Sequence, residues 1–288
     1  LRTASLRVSA EPLRVLAVDR QPRWEFRHAV AAWRAAGAVR VQTLLLDPAL
    51  RPADVVPADL RGEDVAAEDS GPDRLAAFPP RAELASFSAV LLGAISCDGG
   101  NGALSEPAAA DVRWAVEEAG LGLILLPGAS AGPATWSSSP LAPLLPVQPG
   151  SGPAAGVVRT RTPGPVRLLP DARFSALAAL GAEPDDDATV WRQLPGLQRF
   201  SRCGDVRPGS TALMALGDPG VGGLDVPLVV FRRVGLGRVL YVGSDQFWRW
   251  RSVGEADAHE RFWQAAVRLV ARPSGATAGS PWRVLVEG

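Results

Sequence analysis

Two short segments concentrate the residue types that bind or react. Arg23-Trp24-Glu25 comes soon after the apolar run 13–18, and Asp245, Trp248, Arg249, Trp250 and Arg251 follow the run 239–242. Each run is the length of a strand inside a covered sheet, and Gly235 and Gly237 supply a tight turn ahead of the second. Open α/β sheets bind ligands at the carboxyl ends of their strands, so both segments fall where a site belongs. Arg20, Arg23 and Arg27 also surround the start of a helix, where free N–H groups and the helix dipole favour an anion. Indole faces with polar neighbours suit a sugar, a peptide or a partner protein's side chains. The plainer reading is structural, with tryptophans covering the sheet edge and arginines paired with acids such as Asp19 and Glu25. Parallel strands put both segments on one edge, so they are expected to meet. Glu25 would then pair with Arg249 or Arg251, and Trp24 would pack beside Trp248 or Trp250.

Nucleophiles are scarce. Cys97 sits in the glycine-rich loop Ile95-Ser-Cys-Asp-Gly-Gly-Asn-Gly102, after a strand, and the chain has two histidines, His28 and His259. If either histidine approached the thiol, a Cys97-dependent hydrolase or amidotransferase would follow. Without one, Cys97 is an incidental cysteine in a flexible turn. Ser130 is a second hydroxyl candidate, although a serine near a helix start is commonly a cap. The loop glycines lack the G-x-G-x-x-G spacing of a phosphate cradle. Cys97 and Cys203 have no C-x-x-C spacing, so no metal site and no cofactor is expected, and the thiols are expected to be free and partly buried, with a single disulfide between them as the alternative.

Composition narrows the function further. The formal charge is zero, which removes the electrostatic case for nucleic acid. All 30 basic residues are arginine, which removes Schiff-base chemistry and a P-loop lysine. With 47% hydrophobic residues in 288, the chain can bury a sizeable core, yet no apolar run approaches the ~20 residues of a membrane span. It begins at Leu1 rather than Met and is read as a soluble piece of a longer protein.

The elements that must carry these residues alternate. Apolar runs at 13–18, 39–46, 89–95 and 121–126 read as strands. Between them, one helix runs from near Pro22 to Ala36 and is closed by Gly37, and another runs from near Ser105, with Pro107 in its first turn, to Gly120. Strand-helix alternation predicts a mainly parallel, covered sheet. The Pro/Asp/Arg-rich stretch 47–85 is long for a loop and is expected to dock its distal end through Phe78, Pro79 and Leu84. Residues 150–223 read as a small β-rich insertion, with strands near 157–160 and 211–216 and a short helix at 174–180. Phe262, Trp263, Val267 and Val270 mark a last helix. Residues 1–12 form a linker or edge strand, 13–272 the domain, and 273–288 a tail or linker.

These segments carry a family resemblance. Leu13-Arg-Val-Leu-Ala-Val-Asp-Arg-Gln-Pro-Arg-Trp-Glu-Phe-Arg27, Leu-Leu-Gly93, Gly120-Leu-Gly-Leu-Ile-Leu-Leu-Pro-Gly128, Pro140-Leu-Ala-Pro-Leu-Leu-Pro-Val147 and Asp245-Gln-Phe-Trp-Arg-Trp-Arg251 together resemble the class I glutamine amidotransferase-like domain of large bacterial membrane proteins, often found with a von Willebrand A-type region. The resemblance implies a flavodoxin-like sheet, a membrane-tethered parent chain and no established reaction. An amidotransferase needs a cysteine at a strained strand-to-helix elbow, with a histidine and an acid after a later strand. Here the elbow strand runs into Pro127-Gly-Ala-Ser130 and the later strand into Ser244-Asp-Gln-Phe247, so both halves of the pair are missing. The expectation is a non-catalytic binding or interaction module.

Overall fold

The computed structural model describes residues 12–47, 73–98, 100, 102–150, 156–217, 225–251, 253 and 257–272. The expected segments at 1–11 and 273–288, and residues 48–72 of the long Pro/Asp/Arg-rich stretch, lie outside them.

Eight strands form one sheet: β1 (Leu13–Asp19), β2 (Val39–Leu45), β3 (Ala89–Leu92), β4 (Gly122–Leu125), β7 (Val166–Leu168), β9 (Ser210–Gly217), β10 (Asp225–Val234) and β11 (Gly237–Val242). Their order is β2-β1-β3-β4-β11-β10-β9-β7. The first five are parallel, and β10, β9 and β7 extend the sheet antiparallel. A smaller antiparallel sheet, β5-β8-β6, combines β5 (Val147–Pro149), β6 (Gly156–Gly164) and β8 (Leu197–Val206). The fold is therefore mixed α/β, with a large, mostly parallel sheet and a small antiparallel one.

Every residue of β3 and β4 is buried, which is why these strands read as unbroken apolar runs. Their side chains still alternate between two cores. Val15, Ala17, Ala89, Leu91, Ile124 and Leu240 join the core under α1 (Trp24–Ala35) and the last helix (Ala258–Val270). Leu16, Val18, Val90, Leu92, Leu123 and Tyr241 join the core under the helix Glu106–Ala119.

In chain order the remaining helices are α2 (Arg81–Leu84), α3 (Glu106–Ala119), α4 (Pro133–Trp136), α5 (Asp187–Gln193) and α6 (Ala258–Val270). α1 turns Phe26, Ala29, Val30 and Trp33 inward at helical spacing, although it starts two residues after Pro22. Ser105 caps α3 by accepting from Ala108 N, and Gly120 ends it in the left-handed conformation at φ 73°. After residue 72 the chain pairs with β2 through Leu75 N to Thr43 O and Thr43 N to Asp73 O, which covers that sheet edge. Pro79 and Leu84 are buried and Phe78 packs against the core, as expected from the sequence. The short helix expected at 174–180 is instead a pair of 3-10 turns, Pro170–Phe174 and Ala176–Ala178. Among the described residues, no helix is long and apolar enough to cross a membrane.

Candidate functional site

β1 delivers Asp19 to the carboxyl edge of the sheet, fully buried. Neighbouring β3 runs into Gly93, and a Cβ there would stand 2.2 Å from Asp19 Oδ2, so only glycine leaves room for this carboxylate. Arg23, in extended backbone just before α1, folds its guanidinium back over the strand ends. Its Nε and Nη2 donate to Asp19 Oδ2 at 3.0 and 2.8 Å. Nη1 donates to Asp245 Oδ2 and to Pro127 O, both at 3.1 Å, and Nη2 also reaches Leu126 O at 3.2 Å. All five N–H groups of Arg23 are thus engaged, and the residue ties β1, β4 and β11 together. Burial pushes Asp19 above its ordinary carboxylate range against the pull of Arg23. Burial also works against the charged Arg23, but Asp19 and Asp245 outweigh it and hold the guanidinium above its usual value.

Glu25 turns away from this network. Fully buried, it accepts from Trp263 Nε1 on Oε1 at 2.7 Å and from Trp248 N on Oε2 at 2.7 Å, while His259 Nε2 lies 2.9 Å from Oε1. The expected pairing of Glu25 with Arg249 or Arg251 is therefore corrected. α1 aims residue 25 at α6, and backbone, indole and imidazole nitrogens occupy the carboxylate first. Arg251 lies instead 3.4 Å from His28 Nε2 and 3.9 Å from Asp257. Arg249 is half-buried, and its Nε has no hydrogen-bond partner among the described residues.

The two motifs do meet. Trp24 lies against Trp248 with ring centroids 6.3 Å apart, and Trp24 is 50% exposed. Trp250 goes elsewhere, and its place among the candidate binding residues is corrected. Residues Phe247–Trp250 form a 3-10 turn, whose i and i+3 side chains eclipse, so Phe247 and Trp250 both point into the core. Trp250 packs edge-on to Phe247, Phe262 and Trp191 and donates its indole N–H to Pro195 O. Trp248 and Arg249 are left at the surface side of the turn.

A cleft of about 510 Å³ opens between these elements, lined by Arg20, Gln21, Trp24, Ser130, Arg199 and Trp248 among others. Arg199, on β8, was not a candidate from the sequence; its Nη2 donates to Asp245 Oδ2 beside Arg23. Gln246 positions it, because Gln246 Oε1 accepts from the backbone N–H groups of Gln198 and Arg199, both at 2.9 Å. Ser130 is not a helix cap, since α4 begins only at Pro133, and its hydroxyl donates to Ala94 O at 2.8 Å.

The thiols are free, with Cys97 half-buried and Cys203 buried. Burial pushes the Cys97 thiol up, Ser139 pulls it down by a hydrogen bond, and Asp98 adds to the rise. Cys97 packs with the core on the α3 side, while His28 and His259 belong to α1 and α6 on the other side, their rings 6.0 Å apart. Among the described residues no group of three or more His, Cys, Asp or Glu side chains is arranged to hold a metal ion. Each acid in the cleft already has an internal partner, and the half-exposed Trp24 and the part-exposed guanidiniums of Arg20 and Arg199 face outward.

No family model matches the chain, and no curated protein matches it. Among solved structures the chain is similar to the crystal structure of Agd3, a novel carbohydrate deacetylase, at 8% identity and a TM-score of 0.49, over 89% of this chain and 32% of that one. It is also similar to exo-beta-1,4-mannosidase Op5Man5 from Opitutaceae bacterium strain TAV5, at 15% identity and a TM-score of 0.43, over 89% of this chain and 36% of that one. The chain spans about a third of the length of these structures.

Proposed function

We propose that this chain is a non-catalytic binding or interaction module on a flavodoxin-like, amidotransferase-like domain, part of a longer membrane-tethered protein. The parallel order β2-β1-β3-β4-β11 supports the flavodoxin-like reading, since it runs 2-1-3-4 and then the next parallel strand. The membrane tether and the amidotransferase ancestry rest on the motifs quoted above. The observation that carries the functional reading is the half-exposed Trp24–Trp248 pair over a cleft whose carboxylates all have protein partners. A general base must be free to take a proton, and a nucleophile needs such a base within reach. Asp19, Glu25 and Asp245 are committed to Arg23, Arg199, Trp248 and Trp263. The cleft is suited to a small polar ligand or to a partner's side chains.

The test is turnover. Incubated with glutamine, the purified chain releases no ammonia above a buffer blank. Release that Cys97→Ala abolishes would replace this reading with the Cys97-dependent hydrolase or amidotransferase.

A further inference from the structure

The hydrogen-bonding groups of the cleft are unbalanced toward donors. On the acceptor side, Asp19 takes Arg20 N on Oδ1 and Arg23 on Oδ2. Both oxygens of Glu25 are occupied, Asp245 Oδ2 is shared by Arg23 and Arg199, and Gln246 Oε1 holds two backbone N–H groups. Donors show the opposite pattern. Among the described residues Arg199 spends one side-chain hydrogen bond, from Nη2 to Asp245, while its side chain is 38% exposed. Among the described residues Arg20 makes one ion pair, from Nε to Asp47 at 3.5 Å, and its side chain is 35% exposed. Trp33, Trp136, Trp191, Trp250 and Trp263 all donate their indole N–H to protein oxygens. Trp24 and Trp248, the two at the cleft, have no such bond among the described residues, and neither has the half-buried Trp114 on α3.

Resting on the reading of this cleft as a binding site, we propose that its ligand is a carboxylate, received by the terminal Nη groups of the part-exposed guanidiniums of Arg199 and Arg20, with its carbon skeleton against Trp24 and Trp248. Guanidinium N–H groups match a carboxylate in geometry, and they gain strength where the site is partly dehydrated. A phosphate fits less well. Three guanidiniums, Arg20, Arg23 and Arg199, meet three carboxylates, Asp19, Glu25 and Asp245, so the cleft has directed donors without a surplus of positive charge for a dianion. The indole faces in turn call for a ligand with a ring or an apolar chain. A sugar acid and a peptide's terminal carboxylate share this chemistry.

Calorimetric titration of the whole chain separates the cases. The probes are D-glucuronate against D-glucose, N-acetyl-phenylalanine against its amide, and inorganic phosphate. At least one acid is expected to bind saturably, and its uncharged counterpart to bind about tenfold more weakly or worse, the worth of a charge-assisted hydrogen bond. Whichever acid binds names the source. Arg199→Gln and Arg20→Gln should each weaken that binding by about tenfold. Among the described residues the Arg20 guanidinium has only its long pair to Asp47, so its variant keeps the test open if Arg199→Gln does not fold. Equal affinity for acid and uncharged counterpart, tighter binding of phosphate than of either acid, or no saturable binding of either acid would each overturn the assignment. None of these outcomes touches the non-catalytic reading, which falls only if the chain turns over glutamine.

Discussion

Trp248 donates its backbone N–H to Glu25 Oε2 at 2.7 Å, and this bond fixes the 3-10 turn after β11 to the first turn of α1 across 223 positions of sequence. The same carboxylate holds the Trp263 indole of α6, so one buried acid joins three elements. Glu25→Ala would leave two buried N–H donors and His259 without their partner. Its cost should be about 3 kcal/mol, since a buried donor left unmade costs about 1–3 kcal/mol and the loss is partly relieved by water. Glu25→Gln, which keeps an acceptor oxygen, should cost less. Urea unfolding measures both, and a loss below about 0.5 kcal/mol for the alanine variant would mean that the junction is not made in solution.

The tryptophans of the last motif should separate into two classes. Trp250 is fully buried, so Trp250→Ala should lower stability by about 3–5 kcal/mol, the usual cost of removing a large aromatic from a core. Trp24 is half exposed, so Trp24→Ala should change stability by less than about 0.5 kcal/mol. Denaturation midpoints decide this, and equal losses at both positions would show that Trp24 is a core residue after all.

How much of this was legible in the residues follows from what each strand faces. β1, β3, β4 and β11 are buried on both faces, and a strand in that position must be an apolar run, so each stood out. β8 mixes Arg199 and Arg202 with Phe200 and Cys203 in a small sheet, and it showed no such signal. It is held by long-range bonds, Ser201 N to Gly243 O and Ser244 Oγ to Arg199 O, which no local pattern reveals. Arg199 was missed for that reason. β10 was hidden by Pro227, which sits where its pairing with β9 slips register. The meeting of the two motifs could be read from parallel topology, but the partners of Glu25 could not. Charge type pointed to an arginine, while a backbone N–H, an indole and an imidazole took the site, and none of those appears in a count of charges.

Gly93 gives a prediction about the network itself. Its missing side chain is what lets the Asp19 carboxylate lie across the end of β3, where a Cβ would be 2.2 Å from Oδ2 and 2.3 Å from Cγ. Neither atom belongs to a free, flexible end, because Arg23 and the Arg20 N–H pin the carboxylate. Gly93→Ala should therefore displace Asp19 and cost about 1–3 kcal/mol, in the range of other overpacked core sites. Gly209 is a poor control because its φ is positive, whereas Gly100, whose Cβ would meet only Asp98, should accept alanine with little change. Thermal unfolding compares the two, and an unperturbed Gly93→Ala would show that the ion network is not held in this geometry.

The last prediction concerns pH. His28 stacks on Trp24 and has its pKa lowered from 6.5 to about 4, by burial first and then by Arg251, His259 and Arg27, with Asp257 opposing. In the unfolded chain the ring takes up a proton near pH 6.5, while in the folded chain it stays neutral until about pH 4. Between these values the unfolded state binds more protons, so stability rises with pH, and acidification through the window favours unfolding. Below the folded pKa both states are protonated and this contribution is constant. Since the ring is only partly buried, the expected loss between pH 6.5 and 4 is about 1–2 kcal/mol after solvent screening, less than the full shift would give. His28→Gln keeps polar contact with Arg251 but cannot titrate, so the difference between wild type and variant should shrink from pH 7 to pH 4 if the proton is the cause. Urea unfolding at half-unit pH steps measures that difference. Parallel stability curves for the two proteins across the window would show that His28 is not held neutral by its neighbours.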